Sequence, residues 1–532
     1  MRAGRLIVYL IAGLLFPIPP LYAQQPEWNS LIADANKAYA EHRYPEAEQL
    51  FSVALKQAET FDPADARLTT SLNNLAELYR QQARYTEAEP LYKRSLEIST
   101  NAHGPEDPAN APVMNNLGEL YRSMGRYPEA EENFKRALAI RRNVYTERDP
   151  RVAISLNNLA QVYRLEGRYS EAEALFKESI DIREKLSGPD NPDLASLLNN
   201  LAGLYRLASR YAEADTLYQR ALALQQKAFG PDNPEIALTL NNQAELYRSI
   251  GKFAEAQPLY ERSLAIREKA YGPDDPRVTT AMNNLALDYR AEGRAIDAQT
   301  LFQRALNSRE KTLGPNHPDL ATPITNLADL YREQGRNEEA EALYNRAIDI
   351  RQKAFGPDNV DVAGSLMSLA ELYRVEGNFV KVEPLYQRSL EIRRKALGPR
   401  HPAVAQNLNS LGVLCVAEKR YEEGESYFKQ ALDIRENTLG SGHRTVALTL
   451  TDLAQLYETE GKFTDAEPLY KRALTILEAV LGPDNIDVAV VLDGYARLLR
   501  QLNRAADAQG LEARADAIRA RREPGGSKLP QG

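Results

Sequence analysis

Apolar positions along the chain recur at the spacing of a helix and switch off at regular intervals. Leu72, Leu75, Ala76 and Tyr79 stand at i, i+3, i+4 and i+7, one stripe of an amphipathic helix. A second stripe follows in Ala88, Leu91, Tyr92, Ser95 and Leu96. The first helix, helix A, is expected to close in successive units near Gly125, Gly167, Gly251, Gly293, Gly335, Gly377 and Gly461, because a left-handed residue ends a helix and glycine takes that conformation without strain. Helix B is expected to end in connectors such as Gly188-Pro189-Asp190-Asn191-Pro192 and Gly398 to Pro402. In these, glycine stops one helix, Asn or Asp caps the next, and the second proline takes its first position. Pro90, Pro258, Pro384 and Pro468 are expected near the start of helix B, where a missing amide donor costs least.

The two stripes form one unit of a long internal repeat. Asn73-Asn74-Leu75-Ala76-Glu77-Leu78-Tyr79-Arg80 recurs from Asn115, Asn157, Asn199, Asn241 and Asn283, then drifts through Thr325, Met367, Asn409, Thr451 and Asp493. Every step is 42 residues, without insertion or deletion. A looser first copy lies in residues 30 to 60, where Arg43 to Glu48 repeats the pattern. A single hairpin cannot bury both stripes, whereas stacked hairpins can. The pattern therefore predicts an all-α fold, a right-handed α-solenoid of about twelve helical hairpins over residues 24–521. Its last helix, about Ala505 to Arg521, is polar as a terminal cap requires, and residues 522–532 read as a disordered tail.

Residues 1–23 have a different character. Arg2 and Arg5 precede an apolar run from Leu6 to Phe16, followed by Pro17, Pro19, Pro20 and Leu21-Tyr22-Ala23. This predicts a secretory signal peptide cleaved after Ala23, and hence a periplasmic or secreted protein with no stable membrane insertion after cleavage. The run is too short to span a bilayer, which takes roughly 20 residues. An uncleaved anchor is the alternative, because Leu21 is large for its place before the cut.

The spacing of Leu75, Ala76, Tyr79, Ala88, Tyr92 and Ser95 resembles the tetratricopeptide repeat. The 42-residue length, the Asn-Asn-Leu-Ala-x-Leu-Tyr-Arg core and the Gly-Pro-Asp-x-Pro connector are similar to the long repeats of kinesin light chains and their bacterial relatives. The likeness covers roughly residues 30 to 515. It implies paired antiparallel helices and a concave wall lined by helix A. No heptad coiled coil precedes residue 30, so the resemblance does not extend to a motor role, and a secreted or periplasmic form is expected.

On that implied wall, spacings of four and three place Asn73, Glu77 and Arg80 on one face of helix A. The arginine recurs as Arg80, Arg122, Arg164, Arg206, Arg248, Arg290, Arg332 and Arg374, and the asparagine as Asn73, Asn115, Asn157, Asn199, Asn241 and Asn283. Carboxamides satisfy a peptide backbone and guanidinium forks grip carboxylates, so these fourteen residues are the candidate groove for a protein or peptide partner, with acidic ligands suited to it. The competing reading has each arginine paired with a Glu77-type residue, and the Asn74-type residues joining neighbouring helices. The ladder breaks at Val416 and Glu458, so contacts are expected between the repeats at 73 and 374. The repeated tyrosines, Tyr79 to Tyr247, are expected in the core.

Composition removes other chemistries. The chain of 532 residues has 66 basic against 74 acidic side chains, net charge -8, which lacks the footprint of a nucleic-acid binder. The single cysteine, Cys415, excludes an internal disulfide and is expected to be buried and inert. His317, His401 and His443 occupy equivalent connectors, but stacked repeats stand too far apart for a shared metal. No phosphate loop, zinc-binding or nucleophile-elbow motif is present, and an identical wall repeated eight times offers no unique catalytic constellation. No enzyme activity and no cofactor are expected. The function expected is a non-catalytic interaction scaffold; the alternative is a self-associating structural scaffold with no groove ligand.

Overall fold

The computed structural model describes residues 25–520 apart from 42, 147 and 148. The proposed signal peptide, its cleavage site and the tail lie outside the described residues. Within them the chain is an all-α repeat solenoid of twenty-four α-helices, twelve antiparallel pairs from Gln25–Ala40 and Tyr44–Ala58 to Ile486–Gln501 and Ala505–Ala520. No described helix is long and apolar enough to cross a membrane.

Two compact units divide the chain after residue 116. In the first, Phe51, Leu72, Leu75 and Leu78 are buried together, and Trp28 Nε1 donates to Ser71 Oγ at 3.0 Å, tying the first helix to the third. In the second, from 117 on, each helix A buries its Leu75-type and Ala76-type residues, while helix B buries one aromatic such as Phe176, Tyr218, Tyr260 or Tyr344. These helix B rings are the largest fully buried side chains. The final helix buries only Ala508, Ala515 and Ile518, as befits a cap.

The helix ends follow from local chemistry. Helix A closes on a left-handed residue, Gly125 (φ 70°) or Gly167 (φ 73°), and in four units on Ala83, Ser209, Lys419 or Asn503 instead. Asp149 and Asp275 cap helix A by accepting from the amides of Arg151 and Arg277, with Pro150 and Pro276 at the first position. One expectation needs correction. Helix B begins at Tyr85, Phe253, Phe379 and Phe463, so Pro90, Pro258, Pro384 and Pro468 lie inside it rather than near its start. All four are exposed, so the carbonyl that loses its amide donor one turn earlier faces water, which lowers the cost.

Candidate functional site

The helix A face divides between the two units. Asn73, Arg80 and Asn115 belong to the first, and the remaining eleven candidate residues to the second. In the first, Arg80 grips Glu77 with Nη2 at 2.6 Å from Oε1.

In the second unit the arginines differ in what holds them. Arg122 pairs with Glu119 at 2.5 Å and Arg374 with Glu371 at 2.6 Å, each three residues back on its own helix. Arg206 has Gly203 at that position and reaches Glu245 on the next helix A at 3.0 Å. Arg290, with Leu287 there, lies 3.5 Å from Asp329 and from Glu333. Arg164, Arg248 and Arg332 make no ion pair among the described residues. Arg164 Nε donates to Gln161 Oε1 at 2.9 Å, and Arg248 Nε lies 3.4 Å from the Tyr260 hydroxyl. Arg332 leaves its Nε buried without a partner. Burial, reinforced by the charges of Arg122 and Arg206, holds the Arg164 pKa below the ordinary arginine value. A local excess of positive charge thus arises where Gln161, Gly203 and Leu287 replace the acid of other units.

The asparagines are used between helices. Asn200, Asn284 and Asn326 donate at 2.9 Å to the side-chain oxygens of Asn157, Asn241 and Asn283 one repeat earlier. The Asn74-type residue is therefore an inter-repeat tie, as expected. Asn115, Asn199 and Asn241 are buried, whereas Asn73, Asn157 and Asn283 are half-buried. Asn199 Nδ2 also donates to Thr239 Oγ1 at 2.7 Å.

Three of the five helix A tyrosines expected in the core are buried there. Tyr121, Tyr163 and Tyr205 have buried rings, Tyr79 and Tyr247 half-buried ones. Tyr79, Tyr205 and Tyr247 place their hydroxyls on Glu48, Glu173 and Asp215 of the preceding helix B, at 3.2, 2.9 and 2.9 Å. A second row of arginines, unremarked in the sequence, covers these rings. Arg84, Arg168 and Arg210 lie 4.0, 3.7 and 3.8 Å from the ring centroids of Tyr79, Tyr163 and Tyr205. Each also pairs with the preceding helix B, Arg84 with Glu48 and Arg210 with Glu173 at 2.6 Å. The signal was available: an arginine four residues after Arg80, in most units.

Where the ladder breaks, the wall changes chemistry. Val413, Val416, Phe428 and Leu456 line a cavity of about 360 Å³ together with Asp452, Glu458 and Arg497. Glu458 is held there by Arg497 at 2.8 Å and by the Tyr470 hydroxyl at 3.1 Å. Cys415 is fully buried and its thiol is pushed up to about 11 by burial. His317, His401 and His443 each cap a helix, accepting from the amides of Asp319, Ala403 and Thr445. Among the described residues no three His, Cys, Asp or Glu side chains converge as metal ligands.

The tetratricopeptide repeat family model matches nine stretches, residues 35–101, 67–143, 110–185, 151–227, 193–269, 277–353, 361–437, 408–479 and 446–520. No curated protein matches the chain. Among solved structures, BtubC (BKLC) from P. vanneervenii is 25% identical, with a TM-score of 0.35 over 46% of this chain and 92% of its own. A putative kinesin light chain from Podosopora anserina, with nearly identical TPR-like repeats, is 25% identical, with a TM-score of 0.33 over 39% of this chain and 98% of its own. A Rap protein complexed with competence and sporulation factor is 17% identical, with a TM-score of 0.47 over 70% and 98%.

Proposed function

The chain belongs to the tetratricopeptide repeat family of protein-interaction scaffolds, and we propose that it holds an acidic peptide or protein segment against the arginines of its helix A face without catalysing a reaction. The observation that carries this reading is the set Arg164, Arg248 and Arg332, half-buried guanidinium groups that make no ion pair among the described residues, with Asp329 and Glu371 acting on Arg332 only at longer range. A desolvated guanidinium gains most from a charged, bidentate acceptor. Arg206 and Arg290 reach neighbouring helices for theirs, so a ligand carboxylate can compete for them. Asn73, Asn157 and Asn283 keep partial exposure beside the arginines for contacts to a peptide backbone; Asn115, Asn199 and Asn241 contribute mainly through the inter-helix ties. Export through the signal peptide would place the scaffold in the periplasm or outside the cell. The repeated wall supports a non-catalytic role, because it offers no unique nucleophile, base and orienting group.

The test is capture of partners by the immobilised chain from residue 24, beside a variant with Arg164, Arg206 and Arg248 changed to Glu and verified as helical by circular dichroism. A protein retained by the first and lost by the second identifies the ligand and the face. Equal retention by both removes the arginines from recognition. Capture of the chain alone favours the self-associating scaffold.

A further inference from the structure

Four contacts in the second unit join residues 235 or 236 positions apart, between five and six repeats along the solenoid. Asn359 Nδ2 donates to the Met124 carbonyl at 2.8 Å, and Asn485 Nδ2 to that of Ile250 at 2.9 Å. Between them, His401 Nε2 lies 2.8 Å from the Leu165 carbonyl and His443 Nε2 2.8 Å from that of Leu207. Each contact sets the N-cap of one helix A on the last residue of an earlier one or on the residue just after it. The approach is close: a Cβ on Gly167 would stand 2.6 Å from Pro402 Cδ, and one on Gly125 3.0 Å from Val360 Cγ1. At Gly293, Gly335 and Gly377, which close helix A elsewhere, the same position meets nothing within 4 Å. The solenoid of this unit therefore returns upon itself, and the four caps form the seam.

The histidine contacts require one protonation state. The amides of Ala403 and Thr445 donate to Nδ1 of His401 and His443 at 3.0 and 3.1 Å. The proton is therefore on Nε2, which donates to the facing carbonyl. An imidazolium has no acceptor left for the cap amide and would set N–H against N–H. Asn359 and Asn485 make the same pair of bonds, accepting from Asp361 and Asp487 at 2.8 and 3.0 Å, with a group that does not titrate.

We propose that this seam is an acid-released clasp, held at neutral pH by His401 and His443 and opened at its centre when they are protonated. The surrounding charges favour release once a proton is taken. Arg393 bears on His401 and donates to the Ala403 carbonyl at 2.9 Å; Arg435 and Arg444 bear on His443. On the facing ends, Glu166 is engaged by Arg168, and Arg210 by Glu173. Only the carbonyls of Leu165 and Leu207 favour the charged ring. Burial holds both histidines below their ordinary pKa, so the rings are neutral and the clasp is closed at pH 7, and protonation falls below the ordinary histidine range. Leu165 and Leu207 directly follow Arg164 and Arg206, so the clasp bounds the edge of the arginine face. It stands whether or not that face binds a peptide.

The test uses the full chain with spin labels at Ser170→Cys and Arg400→Cys, on either side of the seam, and hydrogen exchange across residues 402–405 and 444–447. From about pH 7.5 to about pH 5, after correction for intrinsic rates, these amides should exchange about tenfold faster, the order expected for loss of an N-cap, while the label distance lengthens. In the His401→Asn/His443→Asn variant both signals should stay at their neutral values, because Asn already serves this place at 359 and 485. No change in the wild type overturns the proposal, as does the same change in the double variant. Loss of helical circular dichroism over that range in both proteins would also overturn it, by making the transition global.

Discussion

Asp288 occupies a position filled by Leu78, Leu120, Val162, Leu204, Leu246, Leu330, Leu372, Leu414, Leu456 and Leu498 in the other units. All ten are buried. Asp288 is fully buried too, and neither carboxylate oxygen has a hydrogen-bond partner. Its pKa is pushed up to about 7, first by burial and then by Glu292, against weaker relief from Arg248 and Arg294. Above that pH the ionised group is held in the fold at a cost on the order of 4 kcal/mol. Asp288→Leu removes the charge and buries an aliphatic side chain worth about 2 kcal/mol. The extra volume returns about 1–3 kcal/mol as overpacking. A net local stabilisation of at least about 3 kcal/mol follows at pH 7.5.

The pH dependence separates this account from simple repacking. Between the unfolded value near 3.8 and the folded value near 7, the native state binds the extra proton. Native stability therefore falls as pH rises through that window. At pH 5 the wild-type carboxyl is protonated and the gain from Asp288→Leu shrinks to about 1 kcal/mol, while Asp288→Asn retains only the pH-dependent part. Repeat arrays open locally, so the assay is hydrogen exchange of the helices Pro276–Ala291 and Ala295–Leu313. The amides should exchange about a hundredfold more slowly at pH 7.5 in the leucine variant and far less so at pH 5. Equal protection at both pH values would refute the buried-carboxylate argument, and faster exchange at pH 7.5 would refute the register that places Asp288 among the leucines.

Three further outcomes follow. Gly167→Ala carries the left-handed penalty and a 2.6 Å approach to Pro402, whereas Gly335→Ala carries only the first; thermal unfolding should show Gly335→Ala costing about 1–2 kcal/mol and Gly167→Ala clearly more, and equal costs would deny the seam. Ala160 is fully buried at the helix A contact, so Ala160→Leu should destabilise by about 1–3 kcal/mol in urea titration, and a wild-type midpoint would misplace that contact face. The Cys415 thiol, pushed up to about 11 and fully buried, should resist iodoacetamide at pH 8 until urea is added; rapid native labelling would contradict its burial.

The contrast between the seam and the hairpins shows what a chain of identical steps makes readable. Helix pairing depends on neighbours within 42 residues, and stripe, glycine stop and connector all encode it locally, so twelve pairs follow from periodicity. Pairing of the arginines was half readable: the acid three residues before Arg122 and Arg374 is visible, but the reach of Arg206 to Glu245 depends on how adjacent helices are offset. The seam depends on the small rotation accumulated over more than five units, which no single unit encodes. Yet its chemistry left a trace. Up to residue 275 the cap of helix A is Asp or Asn, whereas at 317, 359, 401, 443 and 485 it is His, Asn, His, His and Asn. Aspartate only accepts; histidine and asparagine accept from the cap amide and still donate outward. At Asn359, His401, His443 and Asn485 that second bond is the one made to the earlier turn. A cap that can donate as well as accept is thus what a helix end needs when it meets a carbonyl as well as its own first turn, and Asn191 and Asn233, which cap without reaching an earlier turn, show that the residue type alone does not mark the seam.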